Sequence, residues 1–150
     1  MAVRDYTTRR QSITNALVDV LKKINGTGEF LSDVGDNVSP RLKFWDEIEE
    51  FPAIHLNASG ETRLYQGGGY KDRFLNVTVR CYVNEEDAVD ALDKLLEDVE
   101  VALEENQRLR YVDRRGAAQY THQKTIVSID TDEGVLEPLG VGEIVVEVRY

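Results

Sequence analysis

Residues 73–106 read RFLNVTVRCYVNEEDAVDALDKLLEDVEVALEEN, and the change of period inside this stretch decides the fold. Over 74–83, Leu75, Val77, Val79, Cys81 and Val83 alternate with Phe74, Asn76, Thr78, Arg80 and Tyr82. Successive strand side chains point to opposite sides, so this period of two predicts a strand with one apolar and one polar–aromatic face. The period then lengthens. Ala88, Leu92, Leu95, Leu96, Val99 and Leu103 recur at three- and four-residue steps and share one stripe of a helix running to about residue 106. Asn84 is expected to cap that helix, and Glu85, Glu86 and Asp87 suit the positive end of its dipole. A strand feeding a one-sided helix can close a core between sheet and helix.

The flanking chain supplies matching elements. Thr7 or Thr8 starts a first helix reaching about Ile24, with Ile13, Ala16, Leu17, Val20, Leu21 and Ile24 as its apolar stripe. Asn25-Gly26 provides a left-handed stop. Residues 26–52 read as a long ordered loop with a short strand near 41–45. A strand over 53–58 turns Ile54, Leu56 and Ala58 inward, leaving His55 and Asn57 on its polar face. Residues 59–72, with Gly60, Gly67, Gly68 and Gly69, join it to the central strand as a long hairpin. Beyond the second helix, 107–123 is locally basic, 125–131 is a strand with Val127 and Ile129 inward, and 142–150 is a last strand with Ile144, Val146, Val148 and Tyr150 inward. The expected fold class is α+β: a two-layer sandwich, with one mostly antiparallel sheet of about four main strands and two helices on one face, in the order α-β-β-α-β-β, with long loops. A single domain over 1–150 is expected, long enough to bury about two-thirds of its unfolded surface.

Charge narrows the function classes. The net charge is −10, and residues 85–105 carry ten acidic residues against the single Lys94. Most of the acidity therefore belongs to one helix face, which reads either as a solvated surface or as one that repels DNA or meets a basic partner, and on both readings argues against general nucleic-acid binding. No apolar run is long enough to cross a bilayer, and the first ten residues lack the apolar centre of a signal peptide. The lone Cys81 excludes an internal disulfide and reads as a buried small apolar residue.

Catalysis needs convergent groups, and few are offered. His55 reads as a surface or interface residue and His122 as a loop residue, neither within a nucleophile or metal motif. Asp130, Asp132 and Glu133 lack the glycine and downstream glutamate of a calcium loop. Gly67-Gly68-Gly69 is followed by neither Lys-Ser nor Lys-Thr, so it reads as a hairpin tip rather than a phosphate loop. No catalytic residue, metal or cofactor is expected. What remains is a small core with long loops bearing glycine and arginine. Ordering such loops costs conformational entropy that contacts with another chain can offset. The candidate interface residues are Arg63, Leu64, Tyr65, Tyr70, Lys71 and Arg73 on the hairpin, and Arg108, Arg110, Arg114 and Arg115 in the basic segment. Tyrosine and arginine are favoured interface anchors.

The layout resembles that of the tail terminator, or tail completion, proteins of long-tailed bacteriophages. The resemblance rests on the N-terminal helix, on Phe51-Pro52-Ala53-Ile54, on the glycine-bearing hairpin before the 73–83 strand, and on the acidic helix. It extends to the ending, from Thr131-Asp132-Glu133-Gly134 through Pro138-Leu139-Gly140 to 145–150. It implies a homo-oligomeric, hexameric ring that caps the tail tube, stops its polymerisation and offers the surface for head–tail joining. The implied partners are the tail tube protein and a head–tail connector or stopper. DNA would pass through the lumen without specific binding, in a virion assembled in the host cytoplasm and with no membrane contact. The alternatives are another neck protein of the stopper kind, or a small ligand-binding or enzymatic α+β domain using a pocket near His55.

Overall fold

The structure is a computed structural model that describes residues 7–150; the first six residues of the expected polar N-terminus lie outside it. Helix α1 spans Arg9–Leu21, capped by the Thr8 hydroxyl oxygen, which accepts from the Gln11 amide at 3.2 Å. Its apolar stripe is buried as the spacing requires, with Ile13, Leu17 and Leu21 fully enclosed. The helix stops before the expected Ile24. The Lys23 amide donates to Val20 and that of Ile24 to Leu21, tightening the last turn, and Gly26 then takes a positive φ of 74°.

The sheet is built around the opening stretch. Strand β2 (Ala53–Tyr65) pairs antiparallel with β3 (Lys71–Asn84), β3 with β7 (Leu139–Arg149), and β7 with β6 (Gln123–Thr131). A two-residue strand β1 (Val38–Ser39) adds to β2 in parallel, giving the order β1-β2-β3-β7-β6. Helix α2 (Ala88–Glu105) and α1 cover one face, where Ile54, Leu56, Leu75, Val77, Val79, Ile144, Val146 and Val148 meet the two helical stripes. The α+β class, the helix pair and the mostly antiparallel sheet agree with the sequence reading. Two glycines of β7 sit where it passes closest to its neighbours. A Cβ on Gly142 would lie 3.0 Å from Leu96 of α2, and one on Gly140 would lie 2.7 Å from Val83 of β3 and 3.3 Å from the Ala88 carbonyl oxygen. Without a Cβ at either position, α2 lies close to β7 with no displacement of Leu92 or Leu96.

Several local expectations fail for physical reasons. Asp87, not Asn84, caps α2, accepting from the Asp90 amide at 3.2 Å; β3 runs through Asn84 and keeps that residue in the ladder opposite Leu139. Glu85, Glu86 and Asp87 therefore precede the helix rather than forming its first turn. Residues 41–45 form no strand. Their carbonyls are taken by side chains of the sheet: His55 Nδ1 lies 3.0 Å from Arg41 O, and the Tyr82 hydroxyl donates to Lys43 O at 3.3 Å. A 3₁₀ turn follows at Trp45–Glu47. His55 is consequently buried rather than a surface residue, beneath that crossing segment and edge-on to Tyr82 at 5.7 Å. Val127 and Ile129 do not point inward together. A β-bulge between Ile126 and Ser128 turns Val127 out, while Ile126 packs on the core and Ile129, opposite the inward Ile144, keeps the expected side but stays exposed on an edge strand. The basic segment is not simply a loop. It folds as a second hairpin, β4 (Arg110–Val112) and β5 (Ala118–Tyr120).

One acid of α2 is used internally. Asp98 is buried and accepts the Leu31 and Ser32 amides at 3.0 and 2.6 Å, fastening the loop after α1 onto the helix. The other acidic side chains of α2 lie along its solvent side, where Asp90 and Lys94 form an i,i+4 pair at 2.8 Å.

Candidate assembly surface

The β2–β3 ladder continues past the rest of the sheet. β7 last pairs at Phe74↔Arg149, Tyr150 just beyond it exchanges backbone bonds with Arg73, and β6 begins at the same level at Gln123↔Arg149. Two further pairs, Leu64↔Asp72 and Tyr65↔Lys71, extend the hairpin beyond Arg63↔Arg73 by about 7 Å as a projecting arm. Its tip turns through Gly67–Gly69, with positive φ at Gly68 and Gly69 that only glycine adopts without strain. Cross-strand partners share a face, so Arg63, Tyr65, Lys71 and Arg73 form one basic–aromatic side of the arm. The Lys71 ammonium stands 5.7 Å from the Tyr65 ring centroid. Tyr65 and Tyr70 are 69% and 76% exposed, so two tyrosine rings at the tip contribute little to the fold.

The root of the arm is organised by Tyr150. Its hydroxyl donates to Glu61 Oε1 at 2.5 Å, its ring meets Tyr111 edge-on at 5.7 Å, and the Arg73 guanidinium lies 5.4 Å from its centroid. Burial and the neighbouring Glu61 carboxylate push the phenol pKa up to about 12. Burial pushes the Glu61 carboxyl up, but its bonds to Tyr150 and Arg63 outweigh this and hold it below the usual range. On the opposite face of the arm, Arg149 donates to Asp72 at 3.0 Å and lowers the Asp72 pKa.

Tyr111 belongs to β4, so the second hairpin is packed beside the arm's root. The Val112 amide donates to Ser12 Oγ of α1 at 3.0 Å, and the Leu109 amide to the buried Thr121 hydroxyl at 2.8 Å. Arg108 donates to Thr121 O at 3.2 Å and lies 5.5 Å from the Tyr120 ring centroid. Arg110 is exposed on β4, and Arg114 and Arg115 sit in the turn that Asp113 closes by accepting the Arg115 and Ala117 amides. The two sets of interface residues, separate in sequence, thus come together at one end of the molecule through Tyr111, Tyr150 and Arg73. Tyr150 itself was read only as an inward-facing strand residue.

The far end of the sheet carries a feature the sequence reading missed. On the face away from the helices, a groove of about 380 Å³ lies between the segment at Phe44, the loop at Leu136 and the strand residues Arg80, Tyr82, Val141 and Glu143. Phe44 is 75% exposed, and Val135 and Leu136 stand exposed beside it. Asp130 and Asp132 complete a mostly acidic rim, and Arg80 pairs with Glu143 at 3.3 Å. Exposed apolar residues in loops leave no periodic signal, which is why only folding reveals the cluster. The alternative reading needed a pocket at His55. A shallow cavity does adjoin it, lined by Asn37, Lys43, Glu47, Glu49 and Glu50, and burial lowers the imidazole pKa. Among the described residues, no group of His, Cys, Asp or Glu is arranged to hold a metal ion, and no helix is long and apolar enough to cross a membrane. Burial also pushes the Cys81 thiol up to about 12, so it is not a nucleophile.

Comparison with known proteins gives this geometry a context. The family model described as bacteriophage tail tube terminator protein matches residues 7–150. A relative from Escherichia phage T5, named tail tube terminator protein p142, is 33% identical over 149 residues, spanning 94% of this chain and 92% of its own. Similarity at that level over nearly the whole of both chains leaves one assignment: the chain belongs to the bacteriophage tail tube terminator family.

Proposed function

We propose that this protein assembles as a closed, hexameric ring on the finished end of the tail tube. There it stops tube polymerisation and provides the surface on which the head connector or stopper docks. The similarity to the T5 tail tube terminator over almost the full chain carries this reading. The shape of the molecule supports it: an arm bearing exposed tyrosines and a second basic hairpin stand at one end of a rigid sheet. The protein acts as a structural component of the virion tail, assembled in the host cytoplasm. DNA passes through the ring without specific binding, in keeping with the net charge of −10.

The arginine residues Arg108, Arg110, Arg114 and Arg115 belong to the one basic segment of an acidic chain. They serve as charged contacts to a neighbouring copy, where opposite charges steer association and fix register. Reversal of Arg114 and Arg115 to Glu is expected to weaken ring formation with the fold intact, which a salt series followed by sedimentation reads directly.

The deciding experiment adds the purified protein to polymerising tail tube protein. Tubes of defined length with a ring of density at one end are expected by electron microscopy. Unchanged, overlong tubes across a wide concentration range reject the terminator reading.

A further inference from the structure

The arm and the groove lie at opposite ends of one strand. Tyr70 precedes β3 and Tyr82 lies near its end, twelve residues on, or roughly 40 Å in extended chain. The arm of a molecule cannot reach its own groove. The two surfaces nevertheless match in chemistry. The arm offers Leu64, Tyr65 and Tyr70, all more than half exposed, together with the Lys71 ammonium. The groove offers apolar side chains at Phe44, Leu136 and Val141, with Asp130, Asp132 and the Arg80–Glu143 pair also lining it. Its volume of about 380 Å³ falls within the range of clefts that receive small ligands.

We infer that the arm of one copy seats its tip tyrosines in the outer-face groove of the next copy, with Lys71 facing the acidic edge at Asp130. This rests on the ring reading above and names the contact that builds the ring. Because the two surfaces differ and point in opposite directions along the sheet, the contact is heterologous. Repeated, it closes into a ring if the rotation is right. It also gives a role to exposed apolar residues at both ends of the sheet, which the monomer leaves wet. The occupant is a second copy rather than the tube, because the complementary partner for the arm is already present on this chain.

The test uses two variants of the full chain, Tyr65→Ala/Tyr70→Glu in the arm and Leu136→Glu in the groove. Every altered side chain is exposed, and circular dichroism checks the fold. Each variant alone is expected to lose self-association in sedimentation. Mixed, they should form one-to-one heterodimers and nothing larger, since the mixture holds one good arm and one good groove. Variants that assemble as the unaltered protein does, or a mixture that stays monomeric while the unaltered protein associates, overturn the inference. A charge swap reads the same contact independently: Lys71→Glu should weaken association about tenfold, and Asp130→Lys added to it should restore it.

If the unaltered protein assembles only on tubes, the Tyr70→Cys/Leu136→Cys variant is oxidised on capped tubes. A ladder of linked copies supports the contact and its absence overturns it, the native Cys81 being fully buried. Rings that form from the arm variant but fail to cap tubes assign the arm to the tube, which overturns this inference and leaves the terminator reading standing. Unaltered protein that neither associates nor caps tubes rejects the terminator reading instead.

Discussion

Two hairpins, both rich in arginine and tyrosine and both turning on glycine, have opposite fates in this molecule. β4–β5 is anchored: Tyr111 is buried against Tyr150, Val112 is tied to α1, and Thr121 satisfies the Leu109 amide. The end of β2–β3 is tied only as far as Asp72, where Arg149 reaches it, and beyond that its aromatic side chains face solvent. Composition does not distinguish them. What differs is whether a third element passes beneath the hairpin: α1 lies under β4, while β6 and β7 end before the arm begins. The fold covers one hairpin and leaves the tip of the other bare.

The largest effect that would sharpen this contrast comes from the two kinds of tyrosine. Tyr111→Ala removes a buried ring and is expected to destabilise the protein by about 3–5 kcal/mol in urea unfolding. Tyr70→Ala should stay within about 0.5 kcal/mol of the unaltered protein, as an exposed substitution does. A comparable loss at Tyr70 would mean that the arm is held in place by the monomer, and the contrast would collapse.

A smaller loss is expected at Thr121. Thr121→Val keeps the shape but leaves the buried Leu109 amide without its acceptor, which costs about 1–3 kcal/mol. Amide exchange should show the loss concentrated in β4 and β5. Faster exchange spread evenly over the sheet would mean that this bond anchors more than the hairpin.

Much of this architecture was readable in advance. The period change at Asn84 placed β3 and α2 correctly, because burial of one face forces the apolar residues into register with the element that carries them. What escaped was set by long-range contact. The 41–45 segment has strand-like residues, but its carbonyls bond to His55 and Tyr82, which lie far away in sequence. The bulge at Val127 depends on the partner strand, and β4–β5 is too short for alternation to register. Of the candidate assembly surface, the projecting hairpin was legible through its glycines and tyrosines. The Phe44–Leu136 groove was not, since its parts come from a loop, a turn and three strands.

The ends of the anchored hairpin offer a pH-dependent probe. Lys124, near the start of β6, is buried and its ammonium donates to the carbonyl of Asn106 at the C-terminal end of α2, so the bond closes the base of the β4–β5 segment. Burial lowers its pKa from 10.5 to about 8. Between those values the unfolded chain holds more proton than the folded one, so this group makes stability rise as pH climbs from about 8 towards 10.5. The ammonium keeps some access to water through the groove lined by Glu100, Glu104 and Gln107, so the gain is about 1–2 kcal/mol rather than the full value of the shift. Lys124→Met should abolish that part of the pH dependence. Unfolding free energies of the two proteins at pH 7 and 10.5 make the comparison, and parallel curves would refute it.

The smallest effect on stability belongs to the arm itself, and it separates folding from function most cleanly. Replacing residues 63–71 with a short Gly-Ser turn removes Leu64, Tyr65 and Tyr70, which contribute almost nothing to the core. It also removes the Arg63–Glu61 ion pair at 2.9 Å, which is partly exposed and worth at most about 1 kcal/mol. The pairs from Ala53↔Tyr82 to Thr62↔Phe74 remain, as do the Tyr150 bonds to Glu61 and to the backbone of Arg73. The shortened chain is therefore expected to fold with a stability within about 1 kcal/mol of the original, because loop-closure terms change only slowly with length. Tube capping, by contrast, should be lost, giving overlong tails or tails that do not join heads. A shortened protein that caps tubes normally and supports infectious particles would show that the arm is dispensable, and the basic β4–β5 hairpin would then have to carry assembly alone.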